Sequence, residues 1–146
     1  MLLDTNVLSE LMRPAPSTAV LRWLQAQRHE DLYTSAITVA ELRAGVAVLP
    51  EGARRRDLNQ RLTDLLHRGF GTRVAGFEAA TAEVYAELRA GRQRMGRPAV
   101  GLDLLIAAIA KERGWPVVTR NVADFEGCGL ALLNPWEADP VIPPVQ

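Results

Sequence analysis

Three apolar residues, Met1-Leu2-Leu3, run directly into an acid, Asp4, and then into two small polar residues, Thr5-Asn6. So short an apolar run suffices only for a short buried strand. A carboxylate at a strand-to-helix junction is costly to bury without a partner and calls for compensation. The carboxyl ends of parallel strands are also where open α/β sheets place their ligands. The same motif returns along the chain, and that return constrains the fold.

Strand candidates lie in Asp31 to Ser35, Arg73 to Ala75, Pro116 to Thr119 and Leu130 to Leu133, the last closed by Asn134-Pro135. Helical patterns fill the intervals. Asn6 to Arg13 is predicted helical and is stopped by Pro14 and Pro16. Ser17 can cap a second helix with Ala19, Val20, Trp23 and Leu24 on one face. Further helices are predicted over Thr38 to Val48, Glu51 to Arg68, Glu78 to Arg94 and Leu104 to Arg113. The last is almost wholly apolar at its start and is expected to be buried. Short apolar strands alternating with helices imply a parallel sheet covered on both faces. The expected class is therefore α/β, a three-layer α/β/α sandwich with a short-stranded, mainly parallel central sheet. One domain is expected over residues 1–137, with an extended Pro-rich tail over 138–146.

Composition narrows the classes of function. No apolar run approaches the ~18 residues that span a bilayer, and the N-terminus lacks a leader pattern. The expected location is cytoplasmic, with no membrane partner. Cys128 is the only cysteine, so no internal disulfide or zinc cage is expected. The formal net charge is zero, but its distribution is uneven. Arg54 to Arg97 holds ten arginines and five acids, a local balance of +5, and the rest of the chain balances it at −5. An acidic site flanked by a basic segment suits a metal-dependent enzyme that acts on a polyanion.

Four acids occupy junctions of this alternating pattern. Asp4 follows the first strand, Glu41 is expected in the first turn of the next helix, Asp103 opens the apolar helix, and Asp124 follows the strand Val117-Val118-Thr119. All four can point into one crevice. Carboxylates without histidine or cysteine suit magnesium or manganese. Such an ion polarises a phosphoryl oxygen and acidifies an attacking water. Each acid also has a structural reading. Thr38-Val39-Ala40-Glu41 matches a capping box, Asp4 and Asp103 can be N-caps, and Asp124 can be a turn residue. A cap at a strand's carboxyl end still faces the crevice, so the two readings coexist.

Leu2-Leu3-Asp4-Thr5-Asn6, Ser35 through Leu42, Asp103 through Ala108, and Thr119-Arg120-Asn121 with Asp124-Phe125 resemble, in order and separation, the blocks shared by PIN-domain ribonucleases. The closing Asn134-Pro135-Trp136 is similar to the VapC/FitB-like branch of toxin–antitoxin proteins. The resemblance implies Mg2+- or Mn2+-dependent hydrolysis of RNA phosphodiester bonds by a metal-activated water. It carries the metal-site roles onto Asp4, Glu41, Asp103 and Asp124. Asn6, Thr119 and Asn121 become supporting polar residues that hold waters or orient carboxylates. Asn121 stands where relatives often carry an acid. On this reading Asp4 and Asp103 hold the principal ion, Glu41 positions it and orients the nucleophile, and Asp124 holds a second ion or a water. Arginines between Arg54 and Arg97 bind the flanking backbone. The implied partners are RNA, a small antitoxin that binds operator DNA, and a second copy of the chain in a homodimer.

Other residues invite weaker readings. His29 and His67 sit among polar neighbours and are expected to be solvated; Trp23, Trp115 and Trp136 are expected to be packing anchors rather than a stacking platform. Two other functions compete. A PIN-like binding module without catalysis is one. A phosphatase with Asp4 as nucleophile is the other, and it usually needs a second acid two residues on, where this chain has Asn6.

Overall fold

The structure, a computed structural model, describes residues 1–98 and 101–137. The expected Pro-rich tail lies outside the described residues. The strands are β1 (Leu2–Leu3), β2 (Thr34–Ser35), β3 (Val74–Ala75), β4 (Val117–Val118) and β5 (Leu132–Leu133). The helices are α1 (Thr5–Leu11), α2 (Thr18–Gln25), α3 (Ala36–Ala47), α4 (Ala53–Asp64), α5 (Ala79–Arg94), α6 (Leu102–Arg113) and α7 (Val122–Phe125). A 3-10 turn covers His29–Asp31, and a π-helical segment covers Leu65–Phe70.

Every strand pairing is parallel. β4 lies between β1 and β5, with Leu2 opposite Val117 and Val117 opposite Leu132. β2 pairs with β3. A parallel bridge between Leu2 and Tyr33 joins the two sets, with Leu3 N–H donating to the Tyr33 carbonyl at 2.8 Å and Tyr33 N–H to the Met1 carbonyl at 3.0 Å. The strand order is thus β3-β2-β1-β4-β5. From β1 the chain winds outward to β2 and β3, then returns to β4 on the other side of β1. The order reverses between β1 and β4, and a doubly wound sheet opens its ligand crevice at that reversal, outside the carboxyl ends of the strands.

Two apolar clusters flank the sheet. Successive residues of a strand face opposite sides. Leu2 and Val117 accordingly join Leu88, Leu104, Ile106, Ile109 and Phe125, which belong to α5, α6 and α7. Leu3, Val118 and Leu133 join Val7, Leu8, Val20, Trp23, Val46 and Leu62, which belong to α1, α2, α3 and α4. That is the expected three-layer α/β/α sandwich with a short parallel sheet. α6 is buried through its apolar stretch, at Leu104 and from Ile106 to Ala110, and ends at Gly114, whose φ of 70° places it in the left-handed region that favours glycine. Among the described residues, no helix is long and apolar enough to cross a membrane.

The structure moves several boundaries. α3 begins at Ala36 rather than Thr38, because Ser35 caps it by accepting from Thr38 N–H at 3.0 Å. Glu41 therefore lies in the second turn, and the capping box expected over Thr38 to Glu41 does not form. α6 is entered through Gly101, and Asp103 is its second residue rather than its N-cap. The helix expected over Glu51 to Arg68 is α4 followed by the π-helical segment, through which Leu66 and Phe70 remain in the core. α7 has no sequence counterpart, since four residues hold barely one turn and carry no periodicity.

Candidate active site

Asp4 caps α1 and at the same time closes β1. Its backbone N–H donates to the Val118 carbonyl at 2.9 Å, which holds the residue beside β4 at the point where strand order reverses. Its Oδ1 accepts from Thr5 N–H at 2.8 Å. Its Oδ2 accepts from the fully buried Thr119 hydroxyl at 2.8 Å and from Asn6 Nδ2 at 3.2 Å. Asn6 Nδ2 also reaches Thr119 Oγ1 at 3.2 Å, and Asn121 N–H donates to that oxygen at 3.0 Å. The capping and crevice-facing readings of Asp4 are both correct. Asn6 and Thr119 hold it by their side chains; Asn121 lines the cleft and contributes its backbone N–H.

Glu41 reaches the same place from α3. Its Oε1 accepts from Thr5 Oγ1 at 2.8 Å, and Thr5 Oγ1 lies 3.1 Å from Thr38 Oγ1. The tether needs Thr5 and Thr38 to be short and hydroxylated, which is the chemistry both positions carry. Asp103 approaches from the first turn of α6, where the helix dipole favours a negative charge. It sits exposed at the rim, although its neighbours Leu104 and Ile106 are buried as expected.

These acids share a cleft of about 480 Å³ lined by Asp4, Glu41, Asp103, Asn6 and Asn121, together with Arg120, Trp136 and a further acid, Glu10, which is paired with Arg13. Asp124 does not line it. Asp124 is exposed on α7, its N–H turned back to the Asn121 carbonyl at 3.1 Å, yet it lies close enough to Asp103 to act on that carboxyl. Burial pushes Asp4 up to about 6 despite its hydrogen bonds, and the neighbouring charges of Asp103 and Glu41 add to the rise. Asp103 is also raised, although the residue is exposed: partial desolvation of its carboxyl comes first, then the charges of Asp124 and Glu41.

The oxygens of Asp4, Glu41 and Asp103 have no arginine or lysine in ion-pair contact among the described residues. Among the described residues no three acid, histidine or cysteine side chains close around one point. Mutually repelling carboxylates stand apart in this way. Magnesium demands no closer cage, since it commonly keeps several waters and takes one or two carboxylates directly. The residues fit a hard divalent cation of that kind.

The basic segment is more divided than its composition suggests. The Arg73 guanidinium donates to the His29, Leu32 and Gly69 carbonyls, and the buried Arg92 donates to those of Glu126 and Arg97. Both are structural ties. Arg54 lines a groove that also reaches Thr5 and Glu41, and Arg55 and Arg56 line a neighbouring one with Arg43. Trp23 and Trp115 pack as expected, Trp115 against Tyr33 at 4.4 Å between ring centroids. The Cys128 thiol is buried and pushed up, first by that burial. Arg120 and Trp136, which neither the charge distribution nor the aromatic content singled out, both border the acids.

Residues 1–126 match the PIN domain family, and the chain belongs to that family. It is 44% identical to the VapC ribonuclease Y4jK of Sinorhizobium fredii, over 92% of this chain and 96% of that protein. It is 42% identical to the toxin FitB of Neisseria gonorrhoeae, over 92% of this chain and 97% of that protein. The solved structure of FitAB bound to an IR36 DNA fragment superposes with a TM-score of 0.87 at 39% identity, covering 94% of this chain and 96% of that one.

Proposed function

We propose that this chain is the ribonuclease toxin of a toxin–antitoxin pair, and that it cleaves RNA phosphodiester bonds with a divalent cation, Mg2+ or Mn2+, held by its acidic cleft. The observation that carries the reading is the convergence of Asp4, Glu41 and Asp103 at the strand-order reversal, with Asp4 buried and pushed up to about 6. Carboxylates kept facing one another without a cation from the protein are arranged for one from outside.

Asp4 and Asp103 would hold the ion, with Glu41 acting on it directly or through water. A bound ion of this kind would polarise a phosphoryl oxygen and acidify an attacking water. Thr119, Asn6 and Thr5 N–H fix the Asp4 carboxylate in one orientation. Thr5 fixes one oxygen of Glu41 and leaves the other to orient a water. Asp124 acts on the site through Asp103 rather than from the cleft wall. Asn6 donates to Asp4 where a doubly wound phosphatase would place a second acid, which weighs against a phosphoryl-enzyme. A binding module without catalysis would gain nothing from carboxylates that repel one another in this way.

The relatives' names motivate the partners. FitB is a toxin, and FitAB is an assembly that binds DNA. A small antitoxin with a DNA-binding part, a homodimeric toxin and a cytoplasmic location follow for this chain by that kinship. The test is incubation of labelled RNA with the purified protein. Cleavage is expected with Mg2+ or Mn2+, none in EDTA, and none from folded Asp4→Asn protein. Cleavage at the wild-type rate by folded D4N protein would overturn the reading.

A further inference from the structure

Two arginines line the acidic cleft, and they differ in what holds them. Arg13 is paired with Glu10, Nη1 to Oε2 at 3.2 Å. Arg120 acts on Glu10 only at longer range: among the described residues it has no carboxylate within ion-pair distance, and its guanidinium donates no hydrogen bond. It stands instead 5.3 Å from the centre of the Trp136 ring. A flexible arginine at the mouth of an acidic cleft would ordinarily swing onto a carboxylate. The indole face attracts the guanidinium and keeps it at the rim.

Both partners of that contact are fixed from behind. Arg120 N–H donates to Asn6 Oδ1 at 3.2 Å, and Asn6 in turn donates to Asp4. Residues 119 and 121 on either side are locked through the Thr119 hydroxyl. Trp136 N–H donates to Asn134 Oδ1 at 3.1 Å, and its ring packs against the core beside Leu133. The guanidinium is thus positioned at a set place relative to Asp4 while its planar fork of donors stays unspent. That fork matches a phosphate.

We propose that Arg120, carried on the face of Trp136, forms the subsite for the RNA phosphate next to the scissile one. This rests on the ribonuclease reading and specifies where the substrate backbone lies. Trp136 serves as the support of the cation rather than as a platform for a base. A phosphate contact positions the strand without reading its sequence.

The experiment measures anisotropy of a fluorescein-labelled 12-nucleotide single-stranded RNA of mixed sequence. It uses D4N protein, which leaves the RNA intact, with and without Arg120→Gln or Arg120→Lys, and with Trp136→Ala. D4N/R120Q should bind up to about fivefold more weakly, as expected for loss of one exposed ion pair. The slope of log affinity against log salt should fall by about 0.7, the value for one phosphate contact on a single strand. D4N/R120K should keep the slope while losing part of the affinity, and D4N/W136A should lose affinity. Equal affinity and slope for D4N and D4N/R120Q would overturn the subsite, as would absence of binding by D4N protein itself. The cleavage assay on wild-type protein decides the ribonuclease reading separately, so either can fail alone.

Discussion

Asp4 and Glu10 stand at the two ends of α1, both buried, and the protein treats their charges in opposite ways. Glu10 accepts from Ser17 N–H at 2.8 Å and pairs with Arg13, and its carboxyl is held below the usual range, chiefly by the Ser17 bond. Asp4 accepts three hydrogen bonds to the two of Glu10 but has no paired cation among the described residues, and it faces Asp103 and Glu41; its carboxyl rises to about 6. Hydrogen bonding alone therefore does not separate a structural acid from a functional one. The separation lies in whether the charge is compensated inside the chain. Glu10 closes the turn between α1 and α2, whereas Asp4 has no cation in ion-pair contact among the described residues.

The largest expected consequence is catalytic. Asp4→Asn should reduce RNA cleavage by at least about 10³-fold, since a bound metal supplies several kcal/mol of transition-state stabilisation. Glu10→Gln should leave the rate near wild type. Comparable losses in both variants would erase the contrast. Next in size, Thr119→Ala removes the buried donor that orients Asp4 without touching the ion, and should lower metal affinity or rate by about 10- to 100-fold.

Stability should show the reverse contrast. The rise of Asp4 from 3.8 to about 6 means that the folded state keeps a proton the unfolded chain has released. Its contribution is full below about pH 4 and is lost as pH rises to about 6. In metal-free buffer, wild type should lose up to about 3 kcal/mol relative to D4N across that window. Glu10, held low, contributes above its unfolded value of 4.5, and that contribution is lost on acidification. Melting curves of E10Q against wild type should therefore converge as pH falls. At neutral pH, Glu10→Ala should destabilise by about 1–3 kcal/mol, because it leaves the part-buried Ser17 N–H without its acceptor. A melting profile in which D4N and E10Q follow wild type in parallel would show that the two acids are equivalent after all.

Much of this was legible before the structure. The layer order follows from two- to four-residue apolar runs alternating with helical patterns. Asp4 is legible because Leu2-Leu3 leaves it nowhere but the end of a strand. Glu41 and Asp103 are legible as site candidates but not in their local settings. Ser35 and Thr38 both look like caps in one dimension, and the end of strand β2 at Ser35 decides for Ser35. Gly101, with no side chain to announce a cap, caps α6 two residues ahead of Asp103. Asp124 is harder still, because its helix is one turn long. Arg120 escapes altogether, because charge counting rewards the density of Arg54 to Arg97. Its value comes from one ring, sixteen residues later, folded beneath it.

The most direct test of an uncompensated acidic centre is calorimetric titration of Mn2+ into wild-type, E10Q and D4N protein at pH 7.5. Saturable binding by wild type and E10Q, abolished in folded D4N, is the predicted result. Equal Mn2+ binding by wild type and D4N, or none by wild type, would contradict it.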